Sequence, residues 1–128
     1  MPKQVIQPKS LPVPKNPYSP GIKKGNFIFT SGQVAQDGKG DLVGAGDVAA
    51  QTTQCLKNIQ AVLAEAGASM DDVVKCVVFL SDIRHFKEMN EAYAKFFPGD
   101  KPGRSTVEAR LASPQMLVEI EAVAYVGE

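Results

Sequence analysis

The chain is poor in the residues that most catalytic chemistries require. It has one histidine, His85, two cysteines, Cys55 and Cys76, and no tryptophan. A Ser/His/Asp triad would have to use His85, which sits early in a predicted helix without a partner signal and reads as a surface or capping residue. One histidine and two scattered cysteines do not make a metal cluster, so no metal is expected. Both thiols lie in apolar segments and read as buried and free. The glycines of "DGKGDLVGAG" lack the strand-to-helix framing of a phosphate loop and read as turn residues, so nucleotide chemistry is not expected. With 14 basic and 14 acidic side chains the formal net charge is zero. No nucleic acid or anionic membrane is therefore expected as a partner. No apolar run approaches the ~20 residues of a membrane span, and the N-terminal residues show no apolar leader core, so a cytoplasmic setting is expected.

What is present is an ordinary globular composition, 44% hydrophobic and 22% charged over 128 residues, enough for one domain, residues 1–128. Val5 and Ile6 can start a short strand within an N-terminal segment, residues 1–17, that its prolines hold extended. "NFIFTSGQ" reads as a strand ending at a glycine. Asp47 is a good N-cap, and Thr52, Cys55, Leu56, Ile59, Val62, Leu63 and Ala66 recur on one helical face closed by Gly67. "DVVKCVVFL" reads as an interior strand covered on both faces. Asp82 can cap a second helix with the stripe Phe86, Met89, Tyr93, Phe96 and Phe97, stopped by Pro98 and Pro102. Two strands follow, about Ser105 to Arg110 and Met116 to Val126. Two helices among these strands predict an α+β or mixed two-layer domain.

Polar residues stand where a plain solvent face would not put them. In the last strand Val118, Ile120, Ala122 and Ala124 share one face, leaving Glu119, Glu121, Val123 and Tyr125 on the other. Arg104, Thr106, Glu108 and Arg110 share one parity of the preceding strand. If the two strands form a hairpin, these sets can face the same side. They then form either a cross-strand ion-pair ladder worth a few tenths of a kcal/mol or a site for an anionic substrate beside an acid/base. Asn90 interrupts an apolar stripe, and a buried amide needs partners, because an unsatisfied one costs about 1–3 kcal/mol. Tyr18 and Ser31 are weaker signals of the same kind.

The stretches "NPYSPGI", "FTSGQ", "QTTQCLKNIQAVLAEAGASMDDVVKCVVFLSD", "MNEAYAKFFP" and "PGRSTVE…VEIEAVA" together resemble the RidA (YjgF) family of imine deaminases, from about Tyr18 to Tyr125. The most specific feature is an arginine followed fifteen residues later by the first glutamate of V-E-I-E-A. The resemblance implies a chorismate-mutase-like α+β fold, a mixed sheet with two helices on one face. It also implies a homotrimer with sites in the clefts between subunits. The implied activity is hydrolysis of 2-iminopropanoate and 2-iminobutanoate to the 2-oxo acid and ammonia, without a cofactor, which protects pyridoxal-phosphate enzymes from damage. Arg104 matches the arginine that grips the substrate carboxylate, and Glu119 the glutamate that activates water. Thr106 stands where many relatives have cysteine, and Tyr18, Ser31, Gly32 and Asn90 match residues lining the cleft. Gly103 and Asn16 depart from the usual alanine and glycine without removing a functional side chain. The alternatives are a holdase-like chaperone or small-molecule-binding trimer and, less favoured by the neutral charge, an endoribonuclease or translation inhibitor.

Overall fold

A computed structural model describes residues 2–127. Its strands are β1 (Gln4–Ile6), β2 (Gly21–Lys24), β3 (Phe27–Thr30), β4 (Val73–Leu80), β5 (Gly103–Glu108) and β6 (Val118–Tyr125), and its helices α1 (Val48–Glu65) and α2 (Phe86–Ala94). The strands form one mixed sheet in the order β1-β2-β3-β6-β4-β5, with every pairing antiparallel except the parallel pair β4–β5. Both helices pack on one face, giving the two-layer α+β domain expected.

α1 follows its sequence signals closely. The Asp47 carboxylate accepts the Ala50 N–H at 3.0 Å, and Gly67 adopts φ +80°, open to glycine at little cost. The Ala68 and Gly67 N–H groups reach back to the carbonyls of Leu63 and Ala64, a Schellman closure. The predicted stripe is buried from Thr52 to Ala66 and meets Ile28, Val78, Leu80, Val118 and Ile120 in one core. α2 is shorter than its apolar stripe. The chain leaves the helix after Ala94, but Phe97 remains buried against Tyr93, their centroids 4.9 Å apart. Asp82 caps the 3₁₀ turn Ile83–His85 that leads into α2, and His85 occupies the half-buried position before the helix.

The structure departs from the sequence reading at three points. The residues after the proline-rich arm hold a strand the sequence did not announce, since Gly21–Lys24 forms β2 between β1 and β3. β4 is covered on one face only: Cys76, Val78 and Leu80 lie under the helices, while Val77 and Phe79 face outward. Most consequential, β5 and β6 are not a hairpin, for β4 runs between them and pairs with both. Ser113 to Met116 carries the chain across β4 instead of turning it straight back.

The open sheet face is unusually apolar. Ladder register puts Val5, Ile22, Phe27, Phe29, Val123 and Tyr125 on it together. Phe27 stacks with Phe29 at 6.0 Å and meets Tyr125 edge-on at 4.9 Å. Contiguous exposed apolar surface of this kind is uncommon on a chain that stays monomeric.

Candidate active site

Four of the residues singled out in the sequence converge on the open face. Tyr18, Ser31, Gly32 and Glu119 line a cavity of about 410 Å³, together with Leu11 and Met116. Ser31 draws the arm to the sheet: its hydroxyl donates to the Ser19 carbonyl at 2.5 Å and its N–H to the Pro20 carbonyl at 2.9 Å, which brings Tyr18 to the rim. Past β3 the chain meets β6 again, where Gln33 and Ile120 exchange backbone hydrogen bonds of 2.8 and 3.0 Å. This sets Gly32 against Glu119. A Cβ at Gly32 would collide with Glu119 Oε2, so the missing side chain is what gives the carboxylate its place.

Glu119 is half-buried and has no hydrogen-bond or ion-pair partner among the described residues. Burial, and then the nearby Glu121 charge, push its carboxyl above the usual range. An unpaired carboxylate in a cleft, with raised basicity, is suited to take a proton from water.

Arg104, Thr106 and Asn90 lie elsewhere. Arg104 pairs in register with Cys76, which faces the helices, whereas Glu119 pairs with Phe79, which faces outward. Within one chain Arg104 and Glu119 therefore point to opposite faces of the sheet. The Arg104 guanidinium carbon sits 4.8 Å from the Tyr93 ring centroid and 5.6 Å from that of Phe86, and Nη1 is 3.9 Å from Met89 Sδ. The Asn90 Oδ1 and Thr106 Oγ1 are buried without hydrogen-bond partners, and the buried Tyr93 hydroxyl has only the Cys76 thiol near it. Asn90 on α2 and Thr106 on β5 thus carry buried oxygens without partners on the two elements that flank the Arg104 guanidinium.

The single-sided site expected from a hairpin is thus replaced by two clusters, one on each face. The ion-pair ladder is absent too. Among the described residues the one ion pair is Asp82–Arg84 at 2.6 Å, and neither Glu121 nor Arg110 takes part. Sequence reasoning passed over the aromatic neighbours of Arg104. Their signal was present in the Phe86–Met89–Tyr93 stripe, which reads as core until β5 is laid beside it. It also passed over Gln51 and Asn58, buried amides of α1 that hold the cavity walls. Gln51 bonds Gly44, Gln115 and Leu117, and Asn58 bonds the carbonyls of Val34 and Gln36.

A two-layer α+β domain with an unpaired acid in a small-molecule-sized cleft falls in the class of compact domains that can offer acid/base side chains to a small ligand. Comparison with known proteins narrows it. The family described as "Endoribonuclease L-PSP" matches residues 8–126. A RutC family protein of Pyrococcus abyssi is 45% identical over 125 residues, covering 98% of each chain. The 3-aminoacrylate deaminase RutC of Acinetobacter baylyi is 40% identical over 126 residues, covering 98% of this chain and all of that protein. The crystal structure of a conserved Rid family protein, YyfA of Yersinia pestis, superposes with a TM-score of 0.91 at 41% identity, covering 98% of this chain and 100% of that one. The chain belongs to the RidA/YjgF family.

Proposed function

We propose that this protein hydrolyses short 2-imino acids, reached from their enamine tautomers, to the 2-oxo acid and ammonia, with 2-iminobutanoate and 2-iminopropanoate as substrates. The observation that carries the reading is the unpaired Glu119 carboxylate facing the cavity across Gly32. The relative named as a 3-aminoacrylate deaminase supports the reaction type. The reading places the reaction between copies of the chain. The open apolar face supports a homotrimer, and the opposed clusters support sites in which Glu119, Tyr18, Ser31 and Gly32 of one subunit meet Arg104, Asn90 and Thr106 of the partner subunit.

The chemistry follows from those groups. A planar guanidinium takes a carboxylate through two parallel N–H bonds, which fixes the imine carbon. Glu119 accepts a proton from water as its oxygen bonds to that carbon, and the C=N π pair moves to nitrogen. Glu119 then returns its proton to the nitrogen and takes up the carbinol O–H proton as the C=O bond forms, so that the C–N bond breaks and ammonia leaves. No covalent nucleophile is required, since an imine carbon beside a carboxylate is already electrophilic. Holding the reactants in this way converts an encounter into a positioned step.

The test generates 2-iminobutanoate with threonine dehydratase and traps it with semicarbazide. The protein is expected to lower the trapped yield catalytically. An unchanged yield, with cleavage of added RNA, would replace this reading with the nuclease activity in the matched family's description. The zero net charge argues against the nuclease, since phosphate binding depends on clustered cations.

A further inference from the structure

We propose that Tyr93 and Phe86 are positioning residues for Arg104. Their ring faces hold the guanidinium in place of an acidic partner and, apart from the long Nη1–H contact to Met89 Sδ, leave its N–H donors to a substrate carboxylate. The proposal rests on the deaminase reading and assigns the carboxylate grip a support of its own.

A half-buried arginine on an edge strand ordinarily recruits a carboxylate. Here every nearby acid is turned away or engaged. Glu88 and Glu91 of α2 line the cleft toward Thr53, Gln54 and Lys57 of α1, on the far side of the helix from Arg104. Glu108, two positions beyond Thr106 on β5, accepts the Ile83 N–H at 2.9 Å. What surrounds Arg104 instead is the Tyr93 ring at 4.8 Å, the Phe86 ring at 5.6 Å and the Met89 sulfur.

That substitution has a chemical consequence. A carboxylate would occupy the in-plane donors and compete with substrate. An aromatic face attracts the cation through its quadrupole, from above the plane, without using a donor. The phenol also stays neutral: burial, and next the Cys76 thiol, push the Tyr93 hydroxyl upward. It is the Tyr93 ring that lies against the guanidinium, so the ring and not the hydroxyl is the working part. Phe86 is 41% exposed, an odd place for a phenylalanine unless its face is in use.

The experiment measures kcat and KM for 2-iminobutanoate, and Kd for 2-oxobutanoate and its neutral amide, in Tyr93→Leu, Tyr93→Phe, Phe86→Leu and Arg104→Lys. The two leucine variants are expected to raise KM and the 2-oxobutanoate Kd by roughly 3- to 30-fold, with kcat changed less than about threefold. Amide affinity is expected to stay level, and Tyr93→Phe to recover most of the loss seen in Tyr93→Leu. The rescue and the carboxylate-selective loss are results that damaged packing would not give. Should Tyr93→Leu fail to fold, Phe86→Leu at its exposed position carries the test. Wild-type 2-oxobutanoate affinity in the leucine variants, with weakened binding in Arg104→Lys, overturns the aromatic support alone. Wild-type affinity in Arg104→Lys as well overturns the carboxylate grip itself.

Discussion

Glu119 and Glu121 share a face of β6, but only Glu119 lines the cavity opposite Gly32. Glu119→Gln keeps the shape and removes the base, so turnover is expected to fall by roughly 10²–10⁴-fold while 2-oxobutanoate affinity holds. Glu121→Gln is expected to change maximal turnover less than about threefold. Because the Glu121 charge helps raise the Glu119 pKa, its removal moves the acid limb of the pH–rate profile to lower pH. The same shift has a stability sign. A carboxyl raised above its unfolded value of 4.5 binds protons more tightly in the fold, so its contribution weakens as pH rises through the folded pKa. Glu119→Gln is therefore expected to melt above wild type near pH 7, the difference vanishing below about pH 4, in paired thermal melts. Gly32→Ala tests the carboxylate's seat: crowding Oε2 should cost at least about tenfold in turnover with the fold intact by circular dichroism.

At the scale of elements, α1 covers the core and also braces the cavity. Gln51 is fully buried, donates to the carbonyls of Gly44 and Gln115 at 3.1 Å each, and accepts the Leu117 N–H at 2.9 Å. Gln51→Leu leaves those groups unsatisfied, and a loss of about 1–3 kcal/mol is expected in urea unfolding. α1 was legible because a cap, a stripe and a closing glycine agree within one segment. β2 was not, because Gly21–Lys24 has two lysines and no apolar run, and is a strand only because β1 and β3 flank it. The hairpin of β5 and β6 failed for a related reason. Parity tells which residues of a strand share a face, but the partner strand is chosen by long-range packing, here the apolar β4.

For the whole molecule, the two clusters make a single copy chemically incomplete under the proposed reading. Sedimentation equilibrium is expected to give three times the 13.7 kDa chain mass. Arg104→Lys and Glu119→Gln chains, each nearly inactive alone, are expected on co-refolding to regain about a quarter of wild-type turnover, the share of random head-to-tail contacts that join an intact Glu119 to an intact Arg104. No recovery would place both residues in a site within one chain or in none. The candidate residues were legible as types, since guanidinium and carboxylate suit the chemistry. Their separation was not, because it depends on β4 pairing with Arg104 at Cys76 and with Glu119 at Phe79. The two sealed thiols add something of practical use. Cys55 lies on the sheet-facing side of the 18-residue α1 and Cys76 on β4 beneath the nine-residue α2, both buried and free. A thiol reagent under native conditions can reach them only when a helix lifts, so each cysteine is a clock for its own layer. The shorter helix should open first, and labelling at Cys76 should lead that at Cys55.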